Sequence, residues 1–189
     1  MSVPRRGPHK VKELAALKGT VCTLGLDDKF VYASQCDEGQ IVRIPRSGGS
    51  PQLLATSINE PYRITLVRDR VIFDHRGHGG IFEVPKTGGQ PMPLTLLAAL
   101  TNFYVADEQD LFFFPTPPGG HWTGRDATVV WEHRDPKTTS TLDPDLGYPR
   151  IIAIDPTYVY WQGNGPLLRA RRRFPLQFLP DNARTQPAK

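Results

Sequence analysis

This 189-residue chain is poor in the features that usually announce an activity. It contains no G-x-S-x-G, no Walker-type glycine loop and no H-E-x-x-H. The common local signatures of a serine nucleophile, a phosphate cradle and a zinc hydrolase are therefore missing. No apolar run approaches the roughly 20 residues that a membrane-spanning helix needs. Cysteine is scarce: Cys22 and Cys36 are too few for a disulfide framework, and alone they make an incomplete metal site. Helical periodicity is nearly absent, with helix propensity confined to KELAALKG (12–19) and LTLLAAL (94–100). The start, MSVPRRGPHKVKELAALKG, has basic residues but no apolar h-region of about 7–15 residues. The expectation is a cytoplasmic chain, or an extracytoplasmic one if further sequence precedes this start.

The net charge of +4 is unevenly placed. Residues 1–18 carry five Lys/Arg against one Glu, and residues 167–189 carry six against one Asp. Between them, 12 basic residues face 17 acidic ones, so the body of the chain is acidic. A nucleic-acid binder usually carries a basic stripe across its folded domain. Basic ends on an acidic body argue against nucleic acid as a partner.

What the chain has in quantity is Pro and Gly, 19 and 17 of them, spaced as punctuation. Residues 41–55 read IVRIPRSGGSPQLLA, and forty positions on, residues 81–95 read IFEVPKTGGQPMPLT. The spacing predicts four short strands per unit. In the first unit these are VCTLGL (21–26), FVYAS (30–34), IVRIP (41–45) and PQLLAT (51–56), with Gly48-Gly49 turning the third into the fourth. The second unit repeats them as PYRITLV, RVIFD, GIFEVPK and PMPLTLLA. A third opens with FYVAD and LFFFP, gains eight residues in PTPPGGHWTGRDAT (115–128) and resumes with VVWEHR. The fourth runs through PRIIAIDPTYVYWQGNG (149–165) to LLRARRR, two residues early. Four strands per unit at a period near 40 predict an all-β, β-propeller-like fold of about four blades of four antiparallel strands. The blades are expected near 20–56, 57–98, 101–142 and 149–179, within one domain over 12–179. Tails at 1–11 and 180–189 flank it. Leu14-Ala15 stands forty before Leu54-Ala55, so 12–17 has the place of an outer strand of a preceding blade.

IIAIDPTYVYWQGNG followed by LLRA resembles a YWTD-type repeat, with Gln162-Gly163 where that motif has Thr-Asp. The chain is also similar to low-density-lipoprotein-receptor-like, TolB-like and NHL-type propellers, and to DUF5050-like bacterial proteins with GG-P strand connections. The resemblance covers about 12–174 and implies a fold more than a function. Those families usually close a ring with six blades. About four blades leave three readings: a compact ring completed by 12–17, an arc completed by a partner or a second copy, or a piece of a longer protein. In the last unit Arg171 replaces Pro45 and Pro85, and no Gly-Gly turn follows it. Either PLQFL (175–179) or 12–17 could supply that blade's edge.

Loops at 36–39, 57–60, 74–79, 99–102, 115–128, 141–148 and 162–166 should gather on one face, where propeller ligands commonly bind. His121, Trp122, Arg125 and Asp126, in the long insertion, form a candidate partner-binding loop; Trp and Arg are enriched at interface hot spots. The plainer reading is an ordinary insertion with Trp122 over a neighbouring blade. Asp74, His75 and His78 supply too few ligands for a metal and read as a polar turn. Asp155 should hold its turn. Asp107, Glu108 and Asp110 read as a solvated cluster, and Cys22 and Cys36 as two free thiols flanking a hairpin, a cross-strand bridge being the alternative. No catalytic, cofactor-binding or metal residue is identified, and no cofactor is expected. The expectation is a non-enzymatic binding or scaffolding module, its partner a protein or a second copy that completes the ring. The rival is a lactonase-like propeller hydrolase whose site is assembled across blades, or a truncated repeat protein with no independent activity.

Overall fold

The structure, a computed structural model, describes residues 11–75, 79–96, 103–115, 128–135, 137–143 and 151–172. Every regular element among them is a strand. The chain divides into two compact units, Met1–Leu96 and Leu97–Lys189, and each holds two sheets.

In the first unit the strands fall where the turn residues place them. β1 (Val21–Leu26), β2 (Phe30–Gln35), β3 (Gln40–Pro45) and β4 (Gln52–Ala55) form one antiparallel meander, and β5 (Pro61–Val67), β6 (Arg70–His75), β7 (Ile81–Pro85) and β8 (Met92–Thr95) form a second. Pro45 and Pro85 end the third strands, where a missing N–H costs little. Side chains alternate between the two faces of each sheet. Tyr32, Ile41 and Leu54 of the first sheet pack with Ile64, Val71, Phe73 and Val84 of the second. The opposite face of the first sheet, Ala33, Val42 and Ile44, is covered by Leu14, Ala15 and Leu17. Fully burying a side chain such as Phe73 stabilises the fold by roughly 1.5–3 kcal/mol.

The second unit repeats the plan with β9 (Tyr104–Ala106), β10 (Asp110–Phe113), β11 (Val129–Arg134) and β12 (Lys137–Asp143) in one sheet, and β13 (Ile151–Ile154), β14 (Tyr158–Gln162) and β15 (Leu167–Arg171) in the next. Its core joins Phe112, Phe114, Val129 and Trp131 to Ile152, Val159 and Trp161.

Strand register carries the repeat through the insertion. Tyr32 faces Arg43, Ile72 faces Glu83, Phe112 faces Trp131 and Tyr160 faces Arg169. The eight extra residues before β11 therefore leave pairing unchanged. Neither helix-prone segment is a helix where it is described: 11–18 is neither helix nor strand, and 92–95 is strand β8, while 97–100 lie outside the described residues. Yet residues 12–17 stand in the outer-strand place that their offset indicates. Gly49 donates its amide to Leu14 O at 3.1 Å as Gly89 donates to Leu54 O at 3.0 Å.

The two cysteines depart from the expectation of free thiols. Cys22 and Cys36 are joined in a disulfide across a separation of 14 residues. They lie at the same end of the β1–β2 hairpin, where Val21 pairs with Gln35. Antiparallel pairing thus delivers the two sulfurs to one place, which composition alone does not reveal.

Candidate functional site

Each sheet has two ends. In the two sheets of the first unit, the first-to-second strand turn and the Gly-Gly turn lie at one end, and the second-to-third strand turn lies at the other.

At the first end, one device recurs. Asp27 Oδ1 accepts the amides of Lys29 and Phe30 at 3.0 and 2.9 Å, and Tyr32 donates its hydroxyl to Asp27 Oδ2 at 2.8 Å. Asp155 does the same with the amides of Thr157 and Tyr158 and the hydroxyl of Tyr160, each at 2.7 Å. Asp107 accepts the amides of Gln109 and Asp110, both at 2.9 Å. A short side chain that satisfies two turn amides is what this turn requires, so the role expected of Asp155 is the one it plays.

Two of these carboxylates also receive a cation from the next sheet. Lys86 Nζ reaches Asp27 Oδ2 at 2.9 Å, and Arg172 Nη2 pairs with Asp107. Burial pushes the Asp27 carboxyl up, but Lys86, the Phe30 and Lys29 amides and the Tyr32 hydroxyl together hold it well below the usual carboxylate range. Burial, with the Asp27 carboxylate beside it, pushes the Tyr32 phenol up to about 12. Asp107 is likewise lowered, burial being outweighed by the Gln109 and Asp110 amides and by Arg172.

Asp110 is a correction to the reading of a solvated cluster, because it is buried. Its Oδ1 accepts Trp131 Nε1 at 2.9 Å and faces His133 Nδ1 at 2.7 Å. Its Oδ2 accepts Arg172 Nη2 at 2.6 Å. A buried Asp–His pair invites a catalytic reading, but His133 Nε2 faces Asp135 O at 2.7 Å. Both ring nitrogens are thus engaged within the protein, which fits a structural pair. The adjacent hollow of about 490 Å³ is lined by Asp107, Glu108, Asp155 and Arg172; Asp107 and Arg172 are paired with each other, and Asp155 holds its own turn.

The other end of the first unit holds a cleft of about 540 Å³. It is lined by Asp37, Glu38, Gly39, Ile58, Glu60 and Tyr62, with the Cys22–Cys36 bridge in its wall. These are the loops 36–39 and 57–60 expected on one face. Two lining residues without glycine's freedom, Ser57 and Glu60, hold φ of 60° and 53°, a left-handed conformation that costs of order 1 kcal/mol or more. The close approach of Gly39 to Ile58 fixes the floor, since Ile58 donates its amide to Gly39 O at 3.1 Å.

His121, Trp122, Arg125 and Asp126 lie outside the described residues, as does His78. Asp74 accepts the Arg63 amide at 2.5 Å, and His75 Nε2 accepts the Asn59 amide at 2.9 Å. Asp74 thus ties β6 to β5, and His75 ties the end of β6 to the preceding connection. Among the described residues, no three His, Cys, Asp or Glu side chains cluster as metal ligands would, and no helix is long and apolar enough to cross a membrane.

No protein-family profile and no curated protein matches the chain in sequence. Solved structures do match in fold. A chain of the nidogen/laminin complex aligns over 76% of this chain and 56% of its own, at 19% identity and TM-score 0.58. A streptogramin B lyase aligns over 85% of this chain and 57% of its own, at 16% identity and TM-score 0.55. The computationally designed Ika4 protein aligns over 86% of this chain and 99% of its own, at 14% identity and TM-score 0.58. The chain thus spans little more than half of the nidogen-complex and lyase chains. Sheets of three or four antiparallel strands and these likenesses place it among all-β proteins of the β-propeller type.

Proposed function

We propose that the chain is a non-enzymatic binding module of β-propeller type whose partner is a protein, engaged through the cleft formed by loops 36–39 and 57–60. The observation that carries this reading is the cleft itself: Asp37, Glu38 and Glu60 line one hollow, in which Glu60 and Ser57 are held at positive φ. Backbone strain of this kind tends to persist at functional sites, and its volume lies in the range of ligand pockets. Three carboxylates of one sign recruit a cationic partner segment, so the partner presents Lys or Arg there. The likeness to the nidogen/laminin complex is compatible with protein binding but concerns that protein.

The rival, a propeller enzyme, has its best described candidate in Asp110 and His133, and the engagement of both His133 nitrogens speaks for a structural role.

The test is a fluorescence titration of the purified chain with labelled decapeptides rich in Lys/Arg, set against acidic ones. Basic peptides are expected to bind, with affinity falling as salt rises. The pair Glu38→Gln/Glu60→Gln should weaken binding at least tenfold with melting temperature unchanged. Equal binding of both peptide sets, or no effect of the pair, would sink the reading.

A further inference from the structure

The two terminal sheets of the described chain carry complementary, unfinished copies of one internal junction. Within the first unit, the junction between the β1–β4 and β5–β8 sheets has three parts. Ile64 and Leu66 pack against a face that carries Tyr32 and Ile41. Lys86 of the second sheet pairs with Asp27 of the first. Arg43 of the first sheet lies 4.4 Å from the Phe30 ring centroid and donates to Lys86 O at 2.7 Å.

Each part has a counterpart at the chain's two ends. Leu24 and Leu26 stand forty residues before Ile64 and Leu66 and point from the same strand on the same face. Ile64 is 8% exposed, whereas Leu24 and Leu26 are 58% and 66% exposed. At the other end, Leu167 takes the position of Ile41: each stands two residues before the arginine that faces Tyr160 or Tyr32. Ile41 is fully buried, and Leu167 is 64% exposed. Arg169 lies 4.6 Å from the Tyr158 ring centroid as Arg43 lies over Phe30. Its backbone acceptor would be the carbonyl of Arg46, the counterpart of Lys86.

The charges complete the pattern. Asp155 has the two amides and the tyrosine that Asp27 has, but among the described residues no cation of a following sheet meets it as Lys86 meets Asp27. Arg46 occupies the slot of Lys86 and Arg172, each one residue after the strand end that faces β2, β6 or β14. Arg172 donates both to Asp155 O in its own sheet, at 2.7 Å, and to the carboxylate of Asp107 in the sheet before. Arg46 makes only the first kind of contact, to Asp27 O and Asp28 O at 3.4 and 3.5 Å. One end offers two exposed leucines and an arginine, and the other an exposed leucine, a tyrosine and an aspartate.

We propose that these two faces dock on each other between two copies of this chain. The β13–β15 sheet of one copy receives the β1–β4 sheet of the other, Arg46 pairing with Asp155 and Leu24 and Leu26 covering Tyr160 and Leu167. Each copy carries one face of each kind, so a pair in which both contacts form leaves neither face open. Residues 12–17 then lie beside the outer edge of β15, as β4 lies beside β3. The internal register, in which Ile41 faces Ala55 and Arg43 faces Gln52, gives Leu167 opposite Ala15 and Arg169 opposite Lys12. The contact uses other residues than the loop cleft, so it stands or falls apart from the function proposed above.

Light scattering and sedimentation of the purified full chain test it. The wild-type chain is expected at twice its single-chain mass at micromolar concentration. Arg46→Asp sets a carboxylate against Asp155, and Leu167→Asp, at a site exposed in the single chain, sets one against Leu24 and Leu26; each alone should weaken the dimer at least tenfold. Leu24→Asp, at a site exposed in the single chain, should give a folded monomer by circular dichroism. A wild-type chain that stays monomeric throughout the micromolar range would overturn the proposal. So would single variants that dimerise as the wild type does.

Discussion

Position 30 of the first sheet and its counterparts show how one backbone slot accepts unrelated chemistry. Phe30, Arg70, Asp110 and Tyr158 each open a second strand, and Arg43, Glu83, Trp131 and Arg169 reach them from the third. The four pairs are a cation over a ring, an ion pair with its charged atoms 3.5 Å apart, an indole N–H on a carboxylate, and a cation over a ring again. Geometry holds the two side chains together, and whichever attraction the residue types permit supplies the contact. The turn aspartate behaves differently, because its role demands one side chain. Only a short acceptor can satisfy the amides two and three residues on while it also receives the hydroxyl five residues on. Asp27 sets a spectroscopic signature in Tyr32, whose phenol is pushed to about 12 by burial and by the neighbouring carboxylate. An absorbance titration at 295 nm should therefore show one tyrosine ionising near pH 12 that Tyr32→Phe removes. Asp27→Asn should return that step toward the ordinary tyrosine value of about 10. A titration curve unchanged by either variant would contradict this arrangement.

At the scale of the element, the connections carry more constraint than the strands. Gly39 sits at φ 63°, and a Cβ there would meet Ile58 O at 2.5 Å. Gly39→Ala is expected to cost roughly 1–3 kcal/mol in urea unfolding, from strain and a backbone clash together. Gly165→Ala, where a Cβ meets nothing within 4 Å, should stay within about 0.5 kcal/mol of wild type. The Cys22–Cys36 bridge closes the end of the first hairpin beside that same connection. Replacing both cysteines by serine should lower stability by roughly 2–4 kcal/mol, chiefly by freeing the unfolded chain. Thiol titration of the unreduced protein should find no free sulfhydryl, and two reactive thiols at the outset would refute the bridge.

The whole molecule is pinned by charge at equivalent places in both of its units. Asp27 with Lys86 and Asp107 with Arg172 each join a sheet to its successor. Both carboxyls are depressed in the folded chain. Their contribution is therefore complete above the unfolded aspartate value of about 4, and it drains as pH falls from there toward their folded values. Melting temperature should decline below about pH 4, and Asp27→Asn/Asp107→Asn should flatten that acid limb. At neutral pH each substitution should cost about 1 kcal/mol, because both ion pairs are partly solvated. An acid limb that survives the double substitution would place the titrating groups elsewhere.

The strand order, the forty-residue register and the all-β class were legible in the chain, because Pro, Gly-Gly and the alternation of apolar residues encode turns and faces locally. The outer-strand place of 12–17 was legible for the same reason: Leu14 stands at the offset of Leu54, and the same glycine amide binds each. Asp155 was legible because a turn is satisfied within four residues of itself. What depended on tertiary structure was everything that joins distant residues. Burial turned Asp110 from an apparent surface acid into the partner of Trp131, His133 and Arg172, the last 62 residues away. Antiparallel pairing brought Cys22 to Cys36, and the folded connections assembled Asp37, Glu38 and Glu60 around one cleft. A periodic sequence determines its own local beat, but which charges are buried, and which faces lack a neighbour, is decided only when the sheets are stacked and each side chain meets its surroundings.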